Sequence, residues 1–109
     1  MNDMTLQEMC NTFGISRRAV QGYERAGLVS PSGKNKRGYL LYDEASQEVI
    51  KRVKLFQRMG FTIKEIKTLF YAPNNVLKSA FEKQAKKLEE EKKNIELLLG
   101  EIRELIEKL

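Results

Sequence analysis

From Phe81 to the last residue a large apolar side chain returns at every seventh position: Phe81, Leu88, Ile95, Ile102 and Leu109. Helices adopt that period when they wind around a partner, because 3.5 residues per turn keeps one seam facing inward. The fourth position of each heptad is Gln84, Glu91, Leu98 and Leu105, and the next is Ala85, Lys92, Leu99 and Ile106. The seam is polar at its start and broadly apolar over its last two heptads. A helix through this stretch, rising about 1.5 Å per residue, is more than about 40 Å long and has no means of burying the stripe against itself. It needs a partner, and the simplest partner is a second copy. We expect a homodimer held by Phe81, Leu88, Ile95, Leu98, Leu99, Ile102, Leu105, Ile106 and Leu109. A second use of Leu97, Leu98, Leu99, Ile102 and Ile106, as a docking surface for an effector domain, stays open.

Ahead of this tail the chain is basic. Residues 1–72 hold twelve Lys/Arg against seven Asp/Glu, while residues 73–109 hold eight of each, so the whole net charge of +5 lies on the first part. Such an excess attracts a polyanion, whereas a balanced tail suits a solvated helix. No apolar run approaches the ~20 residues a bilayer span requires, so no membrane partner is expected. The opening MNDMTLQEMC lacks the basic and apolar regions of a signal peptide. Cys10 is the single cysteine and the chain has no histidine. A buried structural role is expected for it, with no disulfide, no metal and no other cofactor, in a reducing cytoplasm. Without histidine, a nucleophile beside a base, or a glycine-rich phosphate loop, enzymatic activity is not expected.

The first 72 residues carry dense local start and stop signals. Thr5-Leu6-Gln7-Glu8 and Thr62-Ile63-Lys64-Glu65 have the T-x-x-E form of a capping box. They predict helices from about Leu6 to Thr12 and Ile63 to Tyr71. Ser16 is placed to cap a second helix through about Arg25, with Gly27 free to take the left-handed conformation that closes it. Two short helices around a three- or four-residue turn make a helix-turn-helix, whose second helix can enter a major groove. Val29 to Tyr42 reads as a small hairpin with a basic tip at Lys34, Lys36 and Arg37. Asp43 is expected to cap a third helix ending at Gly60, with Val49, Ile50, Val53, Phe56 and Met59 facing a core. Ala72-Pro73-Asn74 marks the boundary. The fold class is therefore all-α with a small β-hairpin wing, a winged helix-turn-helix over residues 1–72 followed by a coiled-coil helix over 73–109.

These blocks together resemble the MerR family of bacterial transcription regulators. The resemblance rests on G-I-S-R-R-A-V-x-x-Y-E-R-A-G-L-V-x-P from Gly14 to Pro31, G-Y-L-L-Y from Gly38 to Tyr42, and G-F-T-I-K-E-I-K from Gly60 to Lys67, in that order, before a long helix. It implies an antiparallel coiled-coil dimer that binds a pseudo-palindromic promoter in double-stranded DNA and distorts it, with RNA polymerase as a further partner. Localisation would then be cytoplasmic, on the nucleoid. In the family the centre of the reading helix usually runs Arg, aromatic, Tyr; here it is Gln21, Gly22 and Tyr23. The wing has Leu40 where the family usually places Arg.

Expected DNA contacts are Ser16, Arg17, Arg18, Gln21 and Tyr23 on the reading helix, Lys34, Lys36, Arg37 and Tyr39 on the wing, and Lys64 beyond it. Gln21 presents an amide able to pair with an adenine edge, and the wing cations neutralise phosphates. Lys51 and Arg52 are weaker candidates for backbone contact, and Tyr42 is divided between DNA and core. Two other readings stay open: the N-terminal portion of a longer ligand-responsive regulator, and a small architectural or excisionase-like protein that bends DNA.

Overall fold

The computed structural model describes residues 2–109. The chain divides into two compact units, a head ending at Tyr71 and a tail from Ala72 to Leu109. In the head, β1 (Met4–Thr5) leads into α1 (Leu6–Phe13) and α2 (Arg17–Arg25). Then follow β2 (Gly33–Lys34), β3 (Leu40–Tyr42), α3 (Glu44–Met59) and α4 (Ile63–Leu69). The tail is one helix, α5 (Asn74–Glu107).

Each head helix begins where a short polar side chain satisfies the free N–H groups of a first turn. Thr5 and Glu8 exchange hydrogen bonds of 3.0 and 3.2 Å at the start of α1, and Thr62 and Glu65 do the same, at 2.9 and 3.2 Å, for α4. Ser16 Oγ accepts from the Ala19 N–H at 3.1 Å, and Asp43 Oδ1 from the Ser46 N–H at 2.8 Å. The ends are equally local: Gly14 and Gly60 close α1 and α3 in the left-handed region at φ of 62° and 106°. Gly27, at φ 79°, follows α2 while the Leu28 N–H reaches back to the Tyr23 carbonyl at 3.0 Å, which satisfies a carbonyl of the last turn.

The sheet has three antiparallel strands in the order β1-β3-β2. The wing hairpin pairs Gly33 with Leu41 and Lys34 with Leu40. Its outer neighbour β1, pairing Met4 with Tyr42 and Thr5 with Leu41, lies where the T-x-x-E signal showed only the start of a helix. Buried Gln47 joins these parts, its Nε2 donating to the Tyr42 carbonyl at 2.9 Å and the Asn2 carbonyl at 2.6 Å. Both bonds offset the cost of taking an amide out of water.

The core is built where α3 packs against α2, α4 and strand β3. Met9, Val20, Tyr42, Ile50, Val53 and Ile66 are fully enclosed. Phe56 packs tilted against Phe61 and Phe70, with ring centroids 6.0 and 6.3 Å apart. Of the five α3 residues expected to face inward, Ile50, Val53 and Phe56 are buried, while Val49 and Met59 are half-buried. The expectation for Cys10 needs correction: it is half-buried, and the enclosed position of α1 belongs to Met9. The tail contrasts sharply, for α5 has no buried residue and begins behind Pro73 without a side-chain cap. No helix among the described residues is long and apolar enough to cross a membrane.

Candidate nucleic-acid interface

α2 is nine residues long, RRAVQGYER. At 3.6 residues per turn, Val20 and Tyr23 fall on one side, and Arg18, Gln21, Gly22 and Arg25 on the other. Burial follows that division: Val20 and Tyr23 are enclosed, while Arg17, Arg18, Gln21 and Arg25 are exposed. Arg18 and Arg25, seven residues or about two turns apart, stack along the middle of the outward face. The exposed surface of α2 thus carries three arginines and an amide, Arg17 lying at its edge. Arg25 belongs to it although the motif reading left it out, and its spacing from Arg18 was the available signal.

Tyr23 does not belong to the interface, which corrects the expectation. It is 2% exposed, and its hydroxyl donates to Gln57 Oε1 on α3 at 2.6 Å. Burial holds its pKa above the ordinary phenol range. Placed on the inner face of α2, its side chain anchors the helix. Tyr42 is likewise a core residue: fully enclosed, it donates its hydroxyl to the Glu24 carboxylate, and burial followed by that bond raises its pKa well above the usual value. Gly22 has no such internal reason. A Cβ added there would meet no atom within 4 Å, so packing inside the head does not demand glycine.

The wing tip is shaped by Asn35, whose Oδ1 accepts from the Arg37 and Tyr39 N–H groups at 2.9 and 3.0 Å. Gly38 completes the turn at φ 84°. Lys34, Lys36 and Arg37 are exposed on this ordered tip, as is Tyr39 at 58%. Lys64 is exposed in the first turn of α4. Ser16 keeps its hydroxyl oxygen on the Ala19 N–H, which leaves its hydrogen to donate.

Lys51 and Arg52, on α3, contact other side chains of the head. Arg52 lies over the Phe56 and Phe70 rings, 5.9 and 5.5 Å from their centroids, and Lys51 pairs with Glu48 at 2.7 Å and lies 5.4 Å from the Phe13 ring centre. Both pack against rings of the head as cation–π contacts while remaining exposed. Lys54 on α3 donates its ammonium to the carbonyls of Phe13 and Gly14, at the turn between α1 and α2. Positive charge there complements the C-terminal end of α1. Lys54 and Gln57, one turn apart on α3, thus grip the helix-turn-helix from behind. Neither had a local sequence signal, since their partners lie 34 to 41 residues away. Among the described residues, no group of three or more His, Cys, Asp or Glu is placed to hold a metal ion.

A capped two-helix reader with a basic β wing is the architecture of a winged helix-turn-helix regulator. Residues 4–72 match the family described as MerR HTH family regulatory protein, and the chain belongs to that family. The HTH-type transcriptional activator mta of Bacillus subtilis is 28% identical over 97 residues, covering 89% of this chain. This chain spans 38% of that protein's length. Among solved structures, a MerR family transcriptional regulator from Bacillus cereus superposes with a TM-score of 0.82 at 22% identity, over 98% of this chain and 82% of that one. HiNmlR, a MerR family regulator lacking the sensor domain and bound to promoter DNA, gives 0.73 at 19%, over 90% and 79%. At these identities the two structures establish the fold.

Proposed function

We propose that this protein is a sequence-specific DNA-binding transcription regulator that acts as a homodimer on a pseudo-palindromic promoter and alters transcription by distorting the duplex. The observation that carries the reading is the outward face of α2. Arg17, Arg18, Gln21 and Arg25 project from a helix whose opposite side is locked into the core, beside an ordered wing bearing Lys34, Lys36 and Arg37. Arg and Gln are the side chains that pair with guanine and adenine edges in a major groove, and the wing cations suit phosphates. A neighbouring fold bound to promoter DNA supports this use of the head.

The homodimer is supported by the tail. Ile95, Leu98, Leu99, Ile102, Leu105, Ile106 and Leu109 are between 42% and 105% exposed in the single chain, a contiguous apolar stripe that water disfavours. Two copies zipped along it would present two heads to two half-sites, and the coiled coil would set their spacing. Bending or untwisting the spacer between the half-sites stores a deformation energy that depends on its sequence. RNA polymerase at the promoter is then the partner that senses the altered geometry.

Selection of bound fragments from random duplex DNA tests the proposal. An enriched inverted repeat is the expected result. Enrichment of a lone half-site would retain the DNA reading and remove the dimer. Enrichment of nothing, at low ionic strength where phosphate contacts are strongest, would remove both.

A further inference from the structure

Glu24 is the one acidic residue on α2, in the last turn of a helix otherwise dressed with three arginines. A loose carboxylate beside a polyanion costs affinity, so where it is held matters. It is held by Tyr42, the last residue of wing strand β3 and fully enclosed in the core, whose hydroxyl donates to Glu24 Oε1 across 18 residues of sequence. One residue before, on the inner side of the same helix, Tyr23 is fastened to Gln57 of α3. The α1–α2 turn is fastened to Lys54 of the same helix. The reading helix is thus tied to α3 just ahead of its start and again in its last turn, and to the wing from that same last turn.

We propose that Tyr42 and Glu24 are positioning residues for DNA recognition: their hydrogen bond locks the C-terminal end of the reading helix to the wing, fixing the offset between base-reading and phosphate-gripping side chains. Neither touches DNA. Two contact sets on one rigid frame bind together without the ordering cost that two loosely coupled sets incur. The bond also keeps the carboxylate turned toward the wing strand. This rests on the DNA-binding reading above, and the test separates the two.

The test uses the full chain, the high-affinity duplex enriched from random DNA and a scrambled duplex of equal length. Tyr42→Phe removes only the hydroxyl and keeps the ring that fills the core. Glu24→Leu removes the acceptor from a half-buried, adaptable position, and Glu24→Gln keeps an acceptor oxygen. Helix content and thermal midpoint are followed alongside binding. The expected result is a loss of roughly tenfold in the ratio of specific to scrambled affinity for Tyr42→Phe and for Glu24→Leu, as one lost hydrogen bond to a charged group allows. Glu24→Gln should retain most of the ratio, and the double variant should lose no more than either single one, because the pair acts as a unit. An unchanged ratio in a folded variant overturns the proposal. So does an equal loss on both duplexes, the mark of a merely structural role, or an additive loss in the double variant. Should Tyr42→Phe fail to fold, the Glu24 variants alone decide by the same ratio. If the wild-type chain enriches no sequence, the DNA reading itself fails and this proposal falls with it; if it enriches one and the variants match it, only the positioning role falls.

Discussion

The head and the tail are both helical, yet they are held by different means. Every head helix carries a side-chain cap and buries a face, and the head encloses residues such as Val20, Ile50 and Ile66 completely. The 34-residue tail helix has no side-chain cap and no buried residue. Its apolar residues from Ile95 to Leu109 remain exposed in the single chain. The head encloses its own apolar side chains, and for the tail that task falls to the proposed homodimer.

The largest effect should follow from damaging the seam. Replacing Leu98 and Ile102 together by Glu puts carboxylates at the two neighbouring seam positions and should leave a monomer. Losing the linked second half-site lowers operator affinity by roughly a hundredfold or more. Sedimentation and binding titrations measure this, while the unfolding transition of the head should persist. If the double variant remained dimeric, the heptad would not be the interface.

The reverse experiment, damage to the head alone, comes next. Ile50 is fully enclosed on α3, and Ile50→Ala should cost about 2–5 kcal/mol through lost burial and a residual cavity. That is a large part of the stability of a domain this size. Denaturant unfolding should show it, with self-association through the tail unaltered wherever the head stays folded.

Within the head, base reading and phosphate gripping should separate. Arg18→Ala should cost about 1–3 kcal/mol on the preferred operator and narrow its advantage over other sequences. Lys36→Ala should weaken all duplexes alike and reduce the slope of affinity against salt by about one. Binding to matched and scrambled duplexes at several ionic strengths distinguishes them. A uniform loss for Arg18→Ala would move that residue from base edge to backbone.

Acid should loosen the head through its caps. The Ser46 backbone N–H bonded to Asp43, with the Ser46 and Ser32 hydroxyls adding, holds the Asp43 carboxyl below its ordinary value, and the Thr5 backbone N–H does the same for Glu8. A folded pKa below the unfolded one means the native state binds fewer protons, so this stabilisation is present above the unfolded value and is lost as pH falls through the folded one. The thermal midpoint of the head should therefore decline below about pH 5. Asp43→Asn keeps a capping oxygen and should flatten part of that decline. An unchanged pH dependence in this variant would show that the cap's charge does not matter.

What the sequence revealed follows from range. Caps and closing glycines act within about one turn, so Thr5, Ser16, Asp43 and Thr62 announced their helices, and the seven-residue repeat announced α5. Strand β1 was invisible because its two residues matter only through Tyr42 and Leu41, almost forty positions on. Tyr23 was misread for a related reason. Its place in the reading helix suggested DNA, while the partner that draws it inward, Gln57, lies on α3. Arg25 was legible from helical geometry, and Lys54 was not. The outward-facing part of the interface could be inferred from one helix alone, whereas the frame behind it required the fold.

The smallest effect compares one substitution in both regions. Gly22 of α2 and Gly100 of α5 are helical, and an added Cβ at either meets nothing within 4 Å in the single chain. Alanine at each should strengthen its helix by about 0.5–1 kcal/mol, since glycine loses more backbone freedom on folding. Gly100 lies on the outer face of the heptad, so Gly100→Ala should only tighten tail association and leave operator preference alone. Gly22 sits on the outward face of α2 between Arg18 and Arg25, where packing gives no reason for glycine and where the proposed DNA contact would bring the duplex near the bare backbone. Gly22→Ala should accordingly raise the thermal midpoint of the head while lowering operator affinity. Melting curves and binding titrations on the two variants check this in parallel. If Gly22→Ala gained stability and bound as well as before, the bare helix surface would have no part in recognition.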